Sequence, residues 1–272
     1  MRAELEYKIE RTIKMIQAFA KDDVVEVAYS GGKDSDVILQ LTKESGVKYR
    51  AIYKNTTIDP PYTENHVREV GAEVVMPREN FFSLVRKSGL PNRLHRFCCE
   101  KLKEYKILDK AIIGVRKAES IKRAQRYNEP EICRIYNKKE RVRHLMPILD
   151  WSDLDVLEYI QDRKIKLHPL YYREDGSIDV MKRLGCMICP LVSKNKHIQA
   201  YREHPRFVKI AIDNLRIYRQ THKDCKVNKT FKTEYDQFAY HLFGSDTTTK
   251  EKRLFELDDS KQYLENYFGI KL

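Results

Sequence analysis

No run of 18 apolar residues occurs in the 272-residue chain, so no membrane-spanning helix is expected and no membrane partner. The first twenty residues, MRAELEYKIERTIKMIQAFA, have no long apolar segment and no small-residue cleavage site. Early acids and helical spacing make this stretch an amphipathic helix of a folded domain, not a signal peptide, and a cytoplasmic location is expected. There is no internal repeat, no low-complexity tract and no Gly/Ser linker, which excludes solenoid and tethered-domain architectures. Cysteine is sparse, with six residues. In a cytoplasmic chain that argues against a disulfide framework and for metal or redox use.

Charge is plentiful. The formal net charge is +12, and it is concentrated. Residues 101–147 hold 14 Lys and Arg against 6 Asp and Glu, residues 191–232 hold 11 against 3, and the remainder is net acidic. Two basic blocks imply an anionic partner: nucleotide phosphates, sulfate or a nucleic acid backbone. A solvated basic surface explains many of the same side chains.

The apolar pattern alternates between strands and helices. Strands are expected over 24–30, 48–56, 72–77 and 111–116, and helices over 4–20, 35–44, from 63, and over 80–87 and 100–110. That alternation predicts a doubly wound, mostly parallel α/β sheet. WSDLDVLEYIQDR forms a helix capped by Ser152, with Asp155 three residues on in a capping-box arrangement. Helices over 197–222 and 231–243 follow. The expected division is a nucleotide-binding domain over 1–190 and a helical extension over 191–272 packed on it.

Between the first strand and its helix lies Ser30-Gly31-Gly32-Lys33-Asp34-Ser35. The two glycines have no Cβ to obstruct an anion. The helix that follows presents its positive end. Ser30 and Ser35 donate hydroxyls and Lys33 supplies charge. Asp34 either holds Mg²⁺ or orients the turn. The pattern is neither Walker A nor Gly-x-Gly-x-x-Gly.

SGGKDS after a strand resembles the pyrophosphate-binding loop of the ATP-pyrophosphatase superfamily, the adenine nucleotide alpha-hydrolases. Asn55-Thr56-Thr57-Ile58-Asp59 and the stretch Gly114, Arg116, Glu119-Ser120, Arg123 resemble the phosphoadenosine phosphosulfate (PAPS) reductase family within it. The resemblance spans about residues 24–190, and residues 195–272 match nothing specific. It implies a Rossmann-like sheet of the alpha-hydrolase type. It also implies a nucleotide site of Ser30, Gly31, Gly32, Lys33, Asp34, Ser35, Asn55, Thr56, Gly114, Arg116 and Arg123, with Lys33, Asp34 and Arg116 as the catalytic set. Arg116, Arg123 and Arg126 suit phosphate or sulfate by forked donation.

Four cysteines form two tight pairs, Cys98-Cys99 and Cys186-x-x-Cys189. A CxxC alone is a redox dithiol, half of a zinc site or half of a cluster site. Sulfonucleotide reductases acting on adenylyl sulfate carry a similar CC…CxxC set on a [4Fe–4S] cluster. The resemblance therefore implies Cys98, Cys99, Cys186 and Cys189 as cluster ligands. For Cys133 and Cys225 a small buried role is expected.

Two reactions fit this reading. An ATP-binding enzyme would bind ATP with Mg²⁺, cleave at the α-phosphorus and release pyrophosphate, in adenylation or sulfur transfer on a substrate such as nucleic acid, with a cysteine desulfurase as a conceivable sulfur source. A sulfonucleotide reductase acting on adenylyl sulfate (APS) or PAPS would use a thiolate nucleophile, release sulfite and draw on a thioredoxin-type partner. Known reductases carry that cysteine near a Cys-Gly-x-His pattern in the tail, which this chain lacks: Cys225 is its last cysteine. A nucleotide- or nucleic-acid-binding module with a structural cluster is the non-enzymatic alternative.

Overall fold

The computed structural model describes residues 2–136, 138–244, 248–249, 252–253 and 260–272. Along the chain run α1 (Ala3–Ala20), β1 (Val25–Tyr29), α2 (Lys33–Ser45), β2 (Tyr49–Lys54), α3 (Thr63–Glu69) and β3 (Glu73–Val75). They are followed by α4 (Phe81–Ser88), α5 (Phe97–Leu102), β4 (Lys110–Ile113), α6 (Ile121–Arg126), β5 (Glu131–Tyr136), β6 (Glu140–Leu145) and α7 (Asp153–Asp162). The remaining helices are α8 (Lys194–Glu203), α9 (Arg206–Thr221), α10 (Lys226–Thr230), α11 (Glu234–Phe243) and α12 (Ser260–Phe268).

The chain forms two compact units. The first comprises residues 1–55, 59–77 and 103–185. The second comprises 56–58, 78–102 and 186–272. The division is not sequential at residue 190, because the segment carrying Cys98 and Cys99 joins the C-terminal helices.

The first unit is the expected α/β sheet, in strand order β3-β2-β1-β4-β6-β5. Pairs β1–β2, β1–β4, β2–β3 and β4–β6 are parallel. Within this sheet the β5–β6 pair is antiparallel, with Glu131 opposite Leu145 and Tyr136 opposite Glu140. The central strand β1 is buried along most of its length, as a strand covered on both faces should be. Helix α1 buries Leu5, Ile9, Thr12, Ile16 and Phe19, a stripe at helical spacing. Helix α2 ends at Gly46 in the left-handed region (φ 70°), where glycine carries no Cβ penalty. Helix α7 has the expected capping box: Asp155 N–H donates to Ser152 Oγ at 3.1 Å and Ser152 N–H donates to Asp155 Oδ2 at 2.9 Å.

Strand order reverses between β1 and β4. In open α/β sheets that switch point, at the carboxyl ends of the strands, is where ligands bind. Ser30–Ser35 leaves β1 there and Gly114–Arg116 leaves β4.

The second unit is helical. Its core joins Phe81, Val85, Phe97, Ile188, Tyr201, Ile212, Leu215 and Phe238. The helix expected over 197–222 is two helices, broken between Glu203 and Arg206, where Pro205 has no N–H for the ladder. The helix expected over 100–110 lies earlier, as α5. Among the described residues no helix is long and apolar enough to cross a membrane.

Candidate functional site

The turn after β1 is shaped by its glycines. Gly31 sits at φ +74°, which disfavours any residue with a Cβ. Gly32 opens α2, and the Ser35 and Asp36 N–H groups donate to its carbonyl at 2.8 and 3.0 Å. The β4 end approaches so closely that a Cβ on Gly114 would lie 2.9 Å from the backbone C and O of Asp34. Two strand ends and one helix start are thereby pressed together at the switch point.

A buried network holds the turn from behind. Tyr29 Oη donates to Asp36 Oδ1, and His66 Nε2 lies 3.0 Å from the same oxygen. Burial pushes the Asp36 carboxyl up, with His66 and Tyr29 working against that. This ring of contacts fixes the first turn of α2 relative to β1 and α3.

In front lies a pocket bounded by Gly32, Lys33, Ser35, Gly114, Arg123 and Arg183. Lys33 is 2% exposed. Its ammonium lies 3.3 Å from Asp34 Oδ2 and 5.7 Å from the Tyr171 ring centroid. Burial pushes the Lys33 pKa down, Asp34 opposes that and Arg116 adds to it. Burial also lowers Arg123, and Arg183 reinforces the shift. Two partly desolvated cations that repel their neighbours are stabilised by a bound anion.

Arg116 is fully buried. Its Nε donates to Asp34 Oδ1 at 2.6 Å and its Nη2 to Asp153 Oδ1 at 2.8 Å. Asp34 lies between two cations, with one carboxylate oxygen toward Arg116 and the other toward Lys33. Arg123 pairs with Glu119. Asn55 Nδ2 donates to Glu64 Oε2 at 3.3 Å, while Thr56 belongs to the second unit. The structure thus gathers Ser30–Ser35, Gly114, Arg116 and Arg123 at the switch point, and Asn55 does not line the pocket. Sequence reasoning missed Arg183 and Tyr171, which come from a loop without periodic pattern.

A second cleft, open to solvent, adjoins the first and shares Ala28, Ser30 and Leu184 with it. It extends over the sheet face past Ile52, Ala111, Val142 and His144. Residues on β5 and β6 enter it, and nothing in the sequence pattern pointed to them.

All four paired cysteines lie in the second unit, and none of the six cysteines is in a disulfide. Cys186 Sγ donates to Thr56 Oγ1 at 3.6 Å. The CxxC loop is pinned by Met187 N–H to the Ile58 carbonyl at 2.9 Å. A hydrogen bond to Cys99, burial, and the neighbouring Cys99 and Cys186 push the Cys98 thiol far up. Three sulfurs this close resist becoming thiolates together unless a cation is present. Among the described residues no group of three or more His, Cys, Asp or Glu is already arranged around a metal position. Four thiols in two pairs are a donor set known from both zinc and iron–sulfur sites. Cys133 is exposed on β5 rather than buried, and Cys225 Sγ lies 3.7 Å from Tyr218 Oη, half-buried in the helical core.

A glycine turn at the β1/β4 switch with buried cations defines an α/β protein with a cationic pocket. The comparisons specify it further. The phosphoadenosine phosphosulfate reductase domain model matches residues 24–192, and the chain belongs to that family. An uncharacterized protein of Methanocaldococcus jannaschii is 32% identical over 214 residues, covering 73% of this chain and 42% of the relative. The chain therefore spans less than half the length of that relative. Sulfate adenylyltransferase subunit 2 of Shewanella pealeana is 23% identical over 239 residues, covering 72% of this chain and 74% of that one. A solved PAPS reductase from Candida auris, in a phosphate complex, is a distant likeness at 17% identity and a TM-score of 0.43, covering 66% and 95%.

Proposed function

We propose that the chain binds an adenine nucleotide with its phosphates on the Ser30–Ser35 turn, and that it promotes ATP-dependent adenylation or sulfur transfer with release of pyrophosphate. The observation that carries this reading is the turn itself. Gly31 and Gly32 open α2 at the switch point while Lys33, Arg123 and Arg183 converge on one pocket. Backbone N–H groups at the start of α2 and the Lys33 ammonium meet charge that grows on a departing pyrophosphate. Asp34, held by Arg116, keeps Lys33 in place. ATP would enter with Mg²⁺. The likeness to a sulfate adenylyltransferase subunit supports chemistry at the α-phosphorus.

The four thiols Cys98, Cys99, Cys186 and Cys189 would hold a [4Fe–4S] cluster, which supplies electrons or sulfur handling, or fixes the second unit. Anaerobic purification followed by iron and sulfide analysis tests this, and zinc in place of iron overturns it.

Lys33→Ala should weaken ATP and pyrophosphate binding by about 10- to 150-fold, from loss of a charge-assisted contact on the order of 1.5–3 kcal/mol. Unchanged affinity for both would sink the phosphate reading. Pyrophosphate release from ATP, measured with and without tRNA or DNA, then tests the reaction. The family match keeps the reductase reading in play. Sulfite release from adenylyl sulfate or PAPS with a thioredoxin-type donor, lost in Cys225→Ser, would establish that reading instead.

A further inference from the structure

The pocket in front of the glycine turn holds a polar group with a proton still to place. Tyr171 is 2% exposed and lines the pocket together with Gly32, Lys33 and Arg183. A Cβ on Gly32 would stand 3.3 Å from Tyr171 Oη, so the hydroxyl lies against the turn itself. Leu184 N–H donates to that oxygen at 3.2 Å. A phenol oxygen that accepts from a backbone amide keeps its own O–H free to donate. Among the described residues no group accepts that proton. Burial pushes the Tyr171 pKa up, with backbone N–H groups working against that, so the phenol is a donor near pH 7 and not a base.

The donor is held in place from several sides. Tyr171 ends a short 3-10 turn, Pro169–Tyr171. Its N–H donates to the His168 carbonyl at 3.0 Å, and its carbonyl accepts from Asp179 N–H at 2.7 Å. His168 is fixed in turn: its Nε2 lies 3.0 Å from the Pro61 carbonyl and its Nδ1 accepts from Leu170 N–H at 3.1 Å. The ring faces Lys33, whose ammonium stands 5.7 Å from its centroid, within reach of a cation–π contact. Tyr171 thus meets the turn with two separable parts, a ring beside the Lys33 charge and a hydroxyl beside Gly32.

We propose that Tyr171 is a further phosphate-binding residue of this pocket: its hydroxyl donates to an oxygen of the same anion that Lys33, Arg123 and Arg183 draw in, while its ring supports the Lys33 ammonium. The proposal rests on the phosphate reading of the Ser30–Ser35 turn and adds a neutral, directional donor to it. Lysine acts on an anion as a point charge. A preorganised O–H dictates where one oxygen sits, and it costs no reorganisation when charge grows there.

Isothermal titration of the full chain with pyrophosphate and with ATP tests this. The proteins are wild type, Tyr171→Phe, Tyr171→Leu, Arg183→Ala and the double variant Tyr171→Phe/Arg183→Ala, each checked for its fold by circular dichroism. Phe keeps the ring beside Lys33 and deletes only the hydroxyl. It should weaken both ligands about tenfold or more. Leu deletes the ring as well and should weaken them further. The loss caused by Tyr171→Phe should persist in the Arg183→Ala background. A loss that vanishes there would mean that Tyr171 acts only by holding Leu184, and with it Arg183, and would overturn direct donation. Equal pyrophosphate affinity in wild type and Tyr171→Phe overturns the proposal and leaves the phosphate reading standing. No pyrophosphate or ATP binding in the wild type defeats the phosphate reading itself, and the proposal with it.

Discussion

Gly114 illustrates how a single residue sets the site. A Cβ there would meet the Asp34 carbonyl carbon and oxygen at 2.9 Å, and both are backbone atoms with no rotamer to yield. Gly114→Ala should push β4 and the first turn of α2 apart, costing about 1–3 kcal/mol as overpacking does. Nucleotide affinity should fall along with the urea midpoint. A variant with wild-type stability and wild-type ATP affinity would show that the close approach is dispensable. This glycine was legible in sequence as part of a family motif, and so were Lys33 and Arg123. His144 was not, because an isolated histidine in a basic stretch gives no signal until the register places it in a row with Ala111 and Glu26. Arg116 was legible as a cation, but its burial between Asp34 and Asp153 was not. Ion pairs between residues 34, 116 and 153 are set by topology.

At the scale of elements, the β1–turn–α2 unit was readable because an apolar strand, a glycine pair and an apolar helical pattern follow one another. The β5–β6 hairpin was not. Its residues alternate weakly, and β5 is only partly covered, so no clean apolar period appears. It also lies within the basic block 101–147, where charge suggested a polyanion surface. Several of those cations have internal work instead: Lys110 Nζ donates to the Phe19 carbonyl at 2.8 Å, Arg116 is buried, and Arg143 pairs with Glu131. The block is therefore a weaker nucleic-acid footprint than its count suggests. The cysteine pairs are likewise a matter of elements. A short helix and a loop, 86 residues apart between Cys99 and Cys186 in sequence, fall in one unit. If they hold a cluster, its binding is part of that unit's folding free energy. Cys186→Ser should then remove the brown chromophore and lower the unit's melting temperature. A Cys186→Ser protein that keeps four irons would refute the ligand set.

The whole molecule offers a way to follow its first unit alone, since Trp151 is the single tryptophan and sits in that unit's buried core. The unit's titrating groups predict how it responds to acid. His144 has a folded pKa of about 4 against an ordinary 6.5, chiefly from burial. Between those values the unfolded chain binds a proton that the folded chain refuses. Stability is therefore complete above pH 6.5 and declines as the pH drops toward 4, by on the order of 3 kcal/mol for this group. Asp155 acts lower. Burial alone would raise it, but Lys8 and Ser152 outweigh that and hold it at about 2. Its contribution is present above the ordinary 3.8 and is lost only as the pH falls toward 2. Asp36, raised by burial, works in the opposite sense and offsets part of the loss. Urea midpoints read by Trp151 fluorescence should fall in two stages, the first between pH 6.5 and 4. In His144→Leu the first stage should shrink to the part that His168, also lowered by burial, contributes, while the second remains. A midpoint constant from pH 6.5 to 4 in the wild type, or an equal slope in the variant, would mean that His144 is solvated in solution and not buried on the sheet.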